Sequence, residues 1–103
     1  MNWSTMTRSE IEQEINVLRE KMRKAEMMGV ENEYRVIERQ IIIAECHLVD
    51  LSKIEKGKIY PLKDDPNHYF KVDYLKGLFA WGFFIGGNES ETGIPISLLK
   101  IGK

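Results

Sequence analysis

The sequence predicts an α+β protein: an N-terminal antiparallel helical hairpin over residues 1–52 joined to a small, strongly bent β-barrel over residues 53–103. Three observations carry this reading. Apolar residues recur at spacings of three and four from Ile11 to Leu48. After Gly57 the apolar runs become short and are broken by turn residues. Between Tyr69 and Gly86 lies one long aromatic stretch, YFKVDYLKGLFAWGFFIG. At 103 residues the two parts are expected to form one cooperative unit.

The first helix is announced by its cap. Thr7 and Glu10 form a T-x-x-E capping box, with Met6 and Ile11 at the positions of a hydrophobic staple. Ile11, Ile15, Leu18, Met22 and Ala25 then draw a narrow apolar stripe, and Gly29 stands where a helix ends in a left-handed residue. Trp3, upstream of the cap, is expected to fold back on nearby apolar surface.

The second helix begins between Glu31 and Glu33, whose carboxylates suit the positive end of the helix dipole. Its stripe is Tyr34, Ile37, Ile41, Ala44 and Leu48, facing the first helix across a short connection. Ile42, Cys46 and Val49 add a second apolar row, and Val36 and Ile43 begin a third. One neighbouring helix cannot cover so much, so the strands or another subunit must cover the rest.

Residues 50–56 read as a connector and 58–62 as a first strand, followed by the turn chemistry of KDDPN at 63–67. The aromatic stretch reads as a hairpin turning at Lys76-Gly77. That register opposes Phe70 with Phe83, Val72 with Trp81 and Tyr74 with Phe79 on one aromatic face. The other face pairs Lys71 with Gly82, Asp73 with Ala80 and Leu75 with Leu78, with Tyr69 and Phe84 on the same side. The aromatic face is expected inside the barrel, which leaves Leu75, Leu78 and Phe84 outside. A polar loop follows over 86–93. Pro95, which has no N–H to donate, places the next strand at an edge. A 3₁₀ turn over 96–99 and a last strand near Lys100-Ile101 complete an SH3-like barrel.

Charge excludes more than it assigns. Residues 1–56 carry nine Lys/Arg against eleven Asp/Glu, and residues 57–103 carry six Lys against five Asp/Glu, so neither half is a basic tail. Every arginine lies in the first half, which counts against a nucleic-acid surface on the strands. No apolar run approaches the length of a membrane span, and MNWSTMTRSE lacks the order of a secretory leader, so the reading is cytoplasmic with no membrane partner. The lone Cys46 fits a reducing compartment.

Candidate chemistry is sparse. Adjacent residues on a helix diverge by about 100°, so Cys46 and His47 do not make a nucleophile and base; Cys46 reads as a small buried thiol. Asp64, Asp65 and His68 lack a further ligand at metal spacing and read as loop. With no phosphate loop, nucleophile elbow or metal pair, the expectation is a protein that is not an enzyme and uses no cofactor. Arg19, Arg23 and Lys24 are the candidate nucleic-acid contacts, but Glu20 and Glu26 dilute the cluster, and a solvated helix face is the favoured reading.

Several stretches resemble the YfhH-like family of small uncharacterised proteins from low-GC Gram-positive bacteria. They are REKMRKAEMMGVENEYRVIERQIIIAECHLVD, the G-x-x-Y at Gly57 to Tyr60, the YLKGLFAWGF ribbon and IPISLL at 94–99. The resemblance spans nearly the whole chain and implies the same helical hairpin and SH3-like barrel. It implies no activity, and the reading of such proteins as transcriptional regulators rests on analogy. The leading expectation is a regulatory or scaffold protein that binds another protein or itself through Val36, Ile42, Ile43, Val49, Leu75, Leu78 and Phe84. The alternative is a nucleic-acid-binding transcriptional regulator.

Overall fold

A computed structural model describes residues 2–87 and 90–101. It is α+β and divides into two compact units, Met1–Leu48 and Val49–Lys103. The first contains helices α1 (Arg8–Met28) and α2 (Glu31–Cys46), preceded by a 3₁₀ turn at Trp3–Thr5. The second contains strands β1 (Ile59–Pro61), β2 (Tyr69–Lys76), β3 (Phe79–Phe84) and β4 (Thr92–Pro95), with 3₁₀ turns at Leu51–Lys53 and Ile96–Leu98.

Local chemistry sets both ends of α1. The Thr7 hydroxyl accepts from the Glu10 N–H at 3.2 Å, and the Glu10 carboxylate accepts from the Thr7 N–H at 2.8 Å, completing the capping box. At the other end Gly29 takes φ 73°, while the N–H groups of Gly29 and Val30 reach the carbonyls of Glu26 and Ala25. The stripe of α1 buries Ile11, Ile15 and Leu18 against Ile37, Ile41 and Ala44 of α2. Each isoleucine or leucine so buried contributes about 1.5–3 kcal/mol. Met6, Trp3, Met22 and Leu48 pack on the edges of this cluster, so Trp3 does fold back.

The strands form an antiparallel sheet in the order β1-β2-β3-β4. Pro95 lies on the edge strand, as its missing donor requires. The sheet is open, so the closed barrel expected from the sequence is not present as a ladder. Nor does Lys100-Ile101 form a strand: the chain after the last 3₁₀ turn meets the end of β1 at a single bridge, Leu62 with Leu99. Two hydrogen bonds flank that bridge, from Lys63 N–H to the Leu98 carbonyl and from Lys100 N–H to the Pro61 carbonyl. The polar loop expected over 86–93 includes residues 88 and 89, which lie outside the described residues.

The aromatic hairpin departs from its expected register twice. Its two-residue loop is Gly77-Leu78 rather than Lys76-Gly77, since Lys76 pairs with Phe79, Leu75 with Ala80 and Tyr74 with Trp81. Gly77 has φ 60°, and among the described residues no non-glycine residue has positive φ, which suits a type II′ turn with glycine first. Asp73 is then a β-bulge, and beyond it Val72 pairs with Gly82, Lys71 with Phe83 and Phe70 with Phe84. Because side chains alternate with period two, one extra residue exchanges the faces of everything beyond it.

The buried face therefore carries Phe70, Val72 and Ala80, all 0% exposed, and Ile94 opposite Ala80. Phe84 belongs to this face and meets Phe70 edge to face, with ring centroids 5.0 Å apart. Leu75, paired with Ala80, is on it too. Tyr74, Phe79, Trp81 and Phe83, expected in the core, stand on the opposite face; Tyr74 and Phe79 are exposed, Trp81 and Phe83 half-buried.

Candidate functional site

Two surfaces emerge from these elements, one in each unit. In the sheet unit the outer face of β2 and β3 presents Tyr74, Trp81, Phe79 and Phe83 with Lys71 and Lys76. Trp81 pairs with Gly93 on β4, and a Cβ built at Gly93 would lie 2.7 Å from Cε2 and Cζ2 of the indole. The ring therefore lies flat across the glycine. Tyr74 is nearly parallel to it, with planes 6° apart and centroids 6.3 Å apart. The Tyr74 hydroxyl donates to Glu91 Oε1 at 3.2 Å. Loss of solvent around the phenol, and then this hydrogen bond and the Glu91 charge, push its pKa above the ordinary 10.0.

Gly82 explains why the hairpin is built this way. A Cβ there would stand 1.8 Å from the Lys71 carbonyl oxygen, so β2 and β3 approach beside the bulge closer than any side chain permits. Reading the residues by strict alternation missed the outer aromatic face. The signal that could have found it was a glycine inside a strand, which often marks a bulge.

In the helical unit Val36 is 59% exposed, although it sits within α2. It lines an open hollow with Trp3, Ile43, Arg39 and Gln40. Met27, Met28 and Val30 are also exposed, around the turn between the helices. Ile42, Ile43 and Val49 are half-buried, as are Leu75, Leu78 and Phe84 of the sheet unit. Leu78 lies in the hairpin turn, where its carbonyl accepts from the Ile96 N–H at 3.0 Å. The seven residues expected to form one partner-binding set are thus dispersed over α2, the residue opening the sheet unit, the buried sheet face and the hairpin turn.

The arginines of α1 are engaged. Arg19 pairs with Glu45 of α2 at 3.2 Å, and Arg23 pairs with Glu20 one turn away on its own helix. The Arg23 bond and charge hold the Glu20 carboxyl below its ordinary pKa. Lys24 is exposed beside them. In the 63–68 loop, Asp65 and His68 turn toward each other, Oδ2 to Nδ1 at 2.5 Å. Cys46 ends α2 as a buried thiol. Among the described residues no helix is long and apolar enough to cross a membrane.

These features define a small α+β protein made of a helical hairpin and a four-stranded antiparallel sheet with an aromatic outer face. The chain belongs to the family described as "Protein of unknown function (DUF1811)", whose model matches residues 1–100. It is 38% identical over 98 residues to the uncharacterized protein YfhH of Bacillus subtilis (strain 168), an alignment covering 95% of this chain and 93% of that one.

Proposed function

We propose that the chain is a non-catalytic regulatory or scaffold module that binds another protein, or a second copy of itself, through apolar side chains of its helical hairpin. One observation carries this reading: the hollow of Trp3, Val36 and Ile43, with Arg39 and Gln40 beside it. Apolar centres with polar rims, enriched in aromatic residues and arginine, are the composition of protein interfaces. Ile42, half-buried, adds to the same surplus on α2. Leu75 and Phe84 are left out of the proposed surface because they share the buried sheet face.

The finer architecture is also a proposal. The Leu62–Leu99 bridge and its two flanking hydrogen bonds support an SH3-like arrangement in which the chain end returns to β1. A cytoplasmic location fits the presence of a single cysteine in the sequence. Binding of nucleic acid by Arg19, Arg23 and Lys24 is the weaker reading, since two of the three already hold carboxylates.

Light scattering across a concentration series, together with affinity capture from the native host, tests the reading. The expected result is either a concentration-dependent dimer or a captured protein that Val36→Glu abolishes while the helical circular dichroism is retained. A monomer at all concentrations whose captures are unchanged by Val36→Glu would refute it.

A further inference from the structure

We propose that the outer face of the sheet is a stacking platform for single-stranded nucleic acid. This is a different surface, in a different unit, from the one proposed for protein binding. It rests on ring geometry and charge together. Trp81 lies flat over Gly93, and Tyr74 stands parallel to it across the β2–β3 ladder. Flat aromatic faces receive unpaired bases with little regard to sequence, because every base has a π-face. Phe79, 37% exposed, continues the row beyond Trp81.

Lys71 and Lys76 share this face on β2, one on each side of Tyr74, and neither is in an ion pair among the described residues. Their β3 partners, Phe83 and Phe79, are four residues apart, so at the usual strand rise the two lysines stand about 13 Å apart, a spacing that brackets a short run of nucleotides. The acidic groups nearby are Asp73 at the bulge and Glu91, which takes the Tyr74 hydroxyl. Cations flanking the rings match phosphates flanking bases. An apolar helix laid on the same face would instead desolvate two ammonium groups and supply no counter-charge, and a second copy would offer only Asp73 and a Glu91 that already takes the Tyr74 hydroxyl. Duplex nucleic acid is a poor fit because its bases are already stacked and its edges, not its faces, are accessible. With lysines alone, binding is expected to be tolerant of sequence and sensitive to salt.

The test uses the full chain carrying Trp3→Phe, so that Trp81 is the sole tryptophan, titrated with fluorescently labelled oligo(dT) and oligo(U). At about 50 mM salt the Trp81 emission should be quenched, and the plot of log affinity against log salt should fall with a slope of about −1.4 for two phosphate contacts. Anisotropy of the label should show Trp81→Ala weakening binding at least about fivefold, the effect of losing one stacked base. The double change Lys71→Gln and Lys76→Gln should retain quenching at high concentration but flatten the salt slope. Should Trp81→Ala fail to fold, Tyr74→Ala, at an exposed position, is expected to weaken binding in the same direction. Val36→Glu should bind unchanged, which separates this surface from the helical one. The proposal is overturned by the absence of quenching at low salt, by affinity indifferent to the two lysines, or by a duplex of the same length competing as well as the single strand.

Discussion

Trp81 lies against Gly93 with no space for a side chain between them: a methyl group at position 93 would come within 2.7 Å of two indole carbons. The ring is held flat by what the neighbouring strand lacks. Gly93→Ala should therefore tilt the indole away from the sheet, shifting its emission in the Trp3→Phe background. The stability cost should be about 1–2 kcal/mol by urea denaturation, the usual range for overpacking. An unchanged emission spectrum would mean that the ring does not rest on Gly93.

Gly82 is a harsher case, because the atom in the way is backbone. Its added Cβ would meet the Lys71 carbonyl oxygen at 1.8 Å, and a backbone carbonyl beside a ladder cannot swing aside as an indole can. Gly82→Ala is expected to cost about 3 kcal/mol or more, among the larger effects of a single substitution. Equilibrium unfolding compared with Gly93→Ala should rank Gly82→Ala clearly worse; equal costs would argue against the bulge at Asp73.

The exchange of faces beyond that bulge can be tested with two phenylalanines. Phe84 meets the fully buried Phe70, whereas Phe79 is 37% exposed. Phe84→Ala should cost about 2–3 kcal/mol and Phe79→Ala less than about 1 kcal/mol. An unbulged hairpin turning at Lys76-Gly77 predicts the reverse order.

Tyr74 adds a pH-dependent measurement. Its neutral form is favoured in the folded chain, so its pKa there is raised above 10.0. The associated stabilisation is fully present below the unfolded value and is lost as pH rises through the raised folded value. Spectrophotometric titration, with the Tyr74 signal identified by its loss in Tyr74→Phe, should find that tyrosine ionising above 10.0, and Glu91→Gln should lower its value by removing the hydrogen bond and the charge. No change in Glu91→Gln would place the Tyr74 hydroxyl away from Glu91.

The helical hairpin was legible in the sequence because its signals are local. The Thr7–Glu10 box, the stripe from Ile11 to Leu18 and the left-handed Gly29 lie within a few residues of the bonds they control. Pro95 likewise specified an edge strand through its own missing donor. The 3₁₀ turn after it appears over Ile96–Leu98, close to its expected place. The excess of apolar residues on α2 was also readable, though how much of it each side chain exposes was not: Val36 is open while Ile42 and Ile43 are half covered.

The hairpin needed the tertiary structure. By itself the sequence determined that Tyr69 to Gly86 would form an aromatic antiparallel ribbon, since alternation and a glycine turn are properties of one segment. Which aromatic rings face inward was decided between strands, by the extra residue at Asp73; the turn one residue later than Lys76-Gly77 changed the cross-strand partners and left the faces as they were. Strand pairing has a period of two, so a single unpaired residue sends each later side chain to the other face without altering the composition of the ribbon. Thus Phe84 entered the core, and Trp81 and Tyr74 came to lie on the outer face beside Lys71 and Lys76.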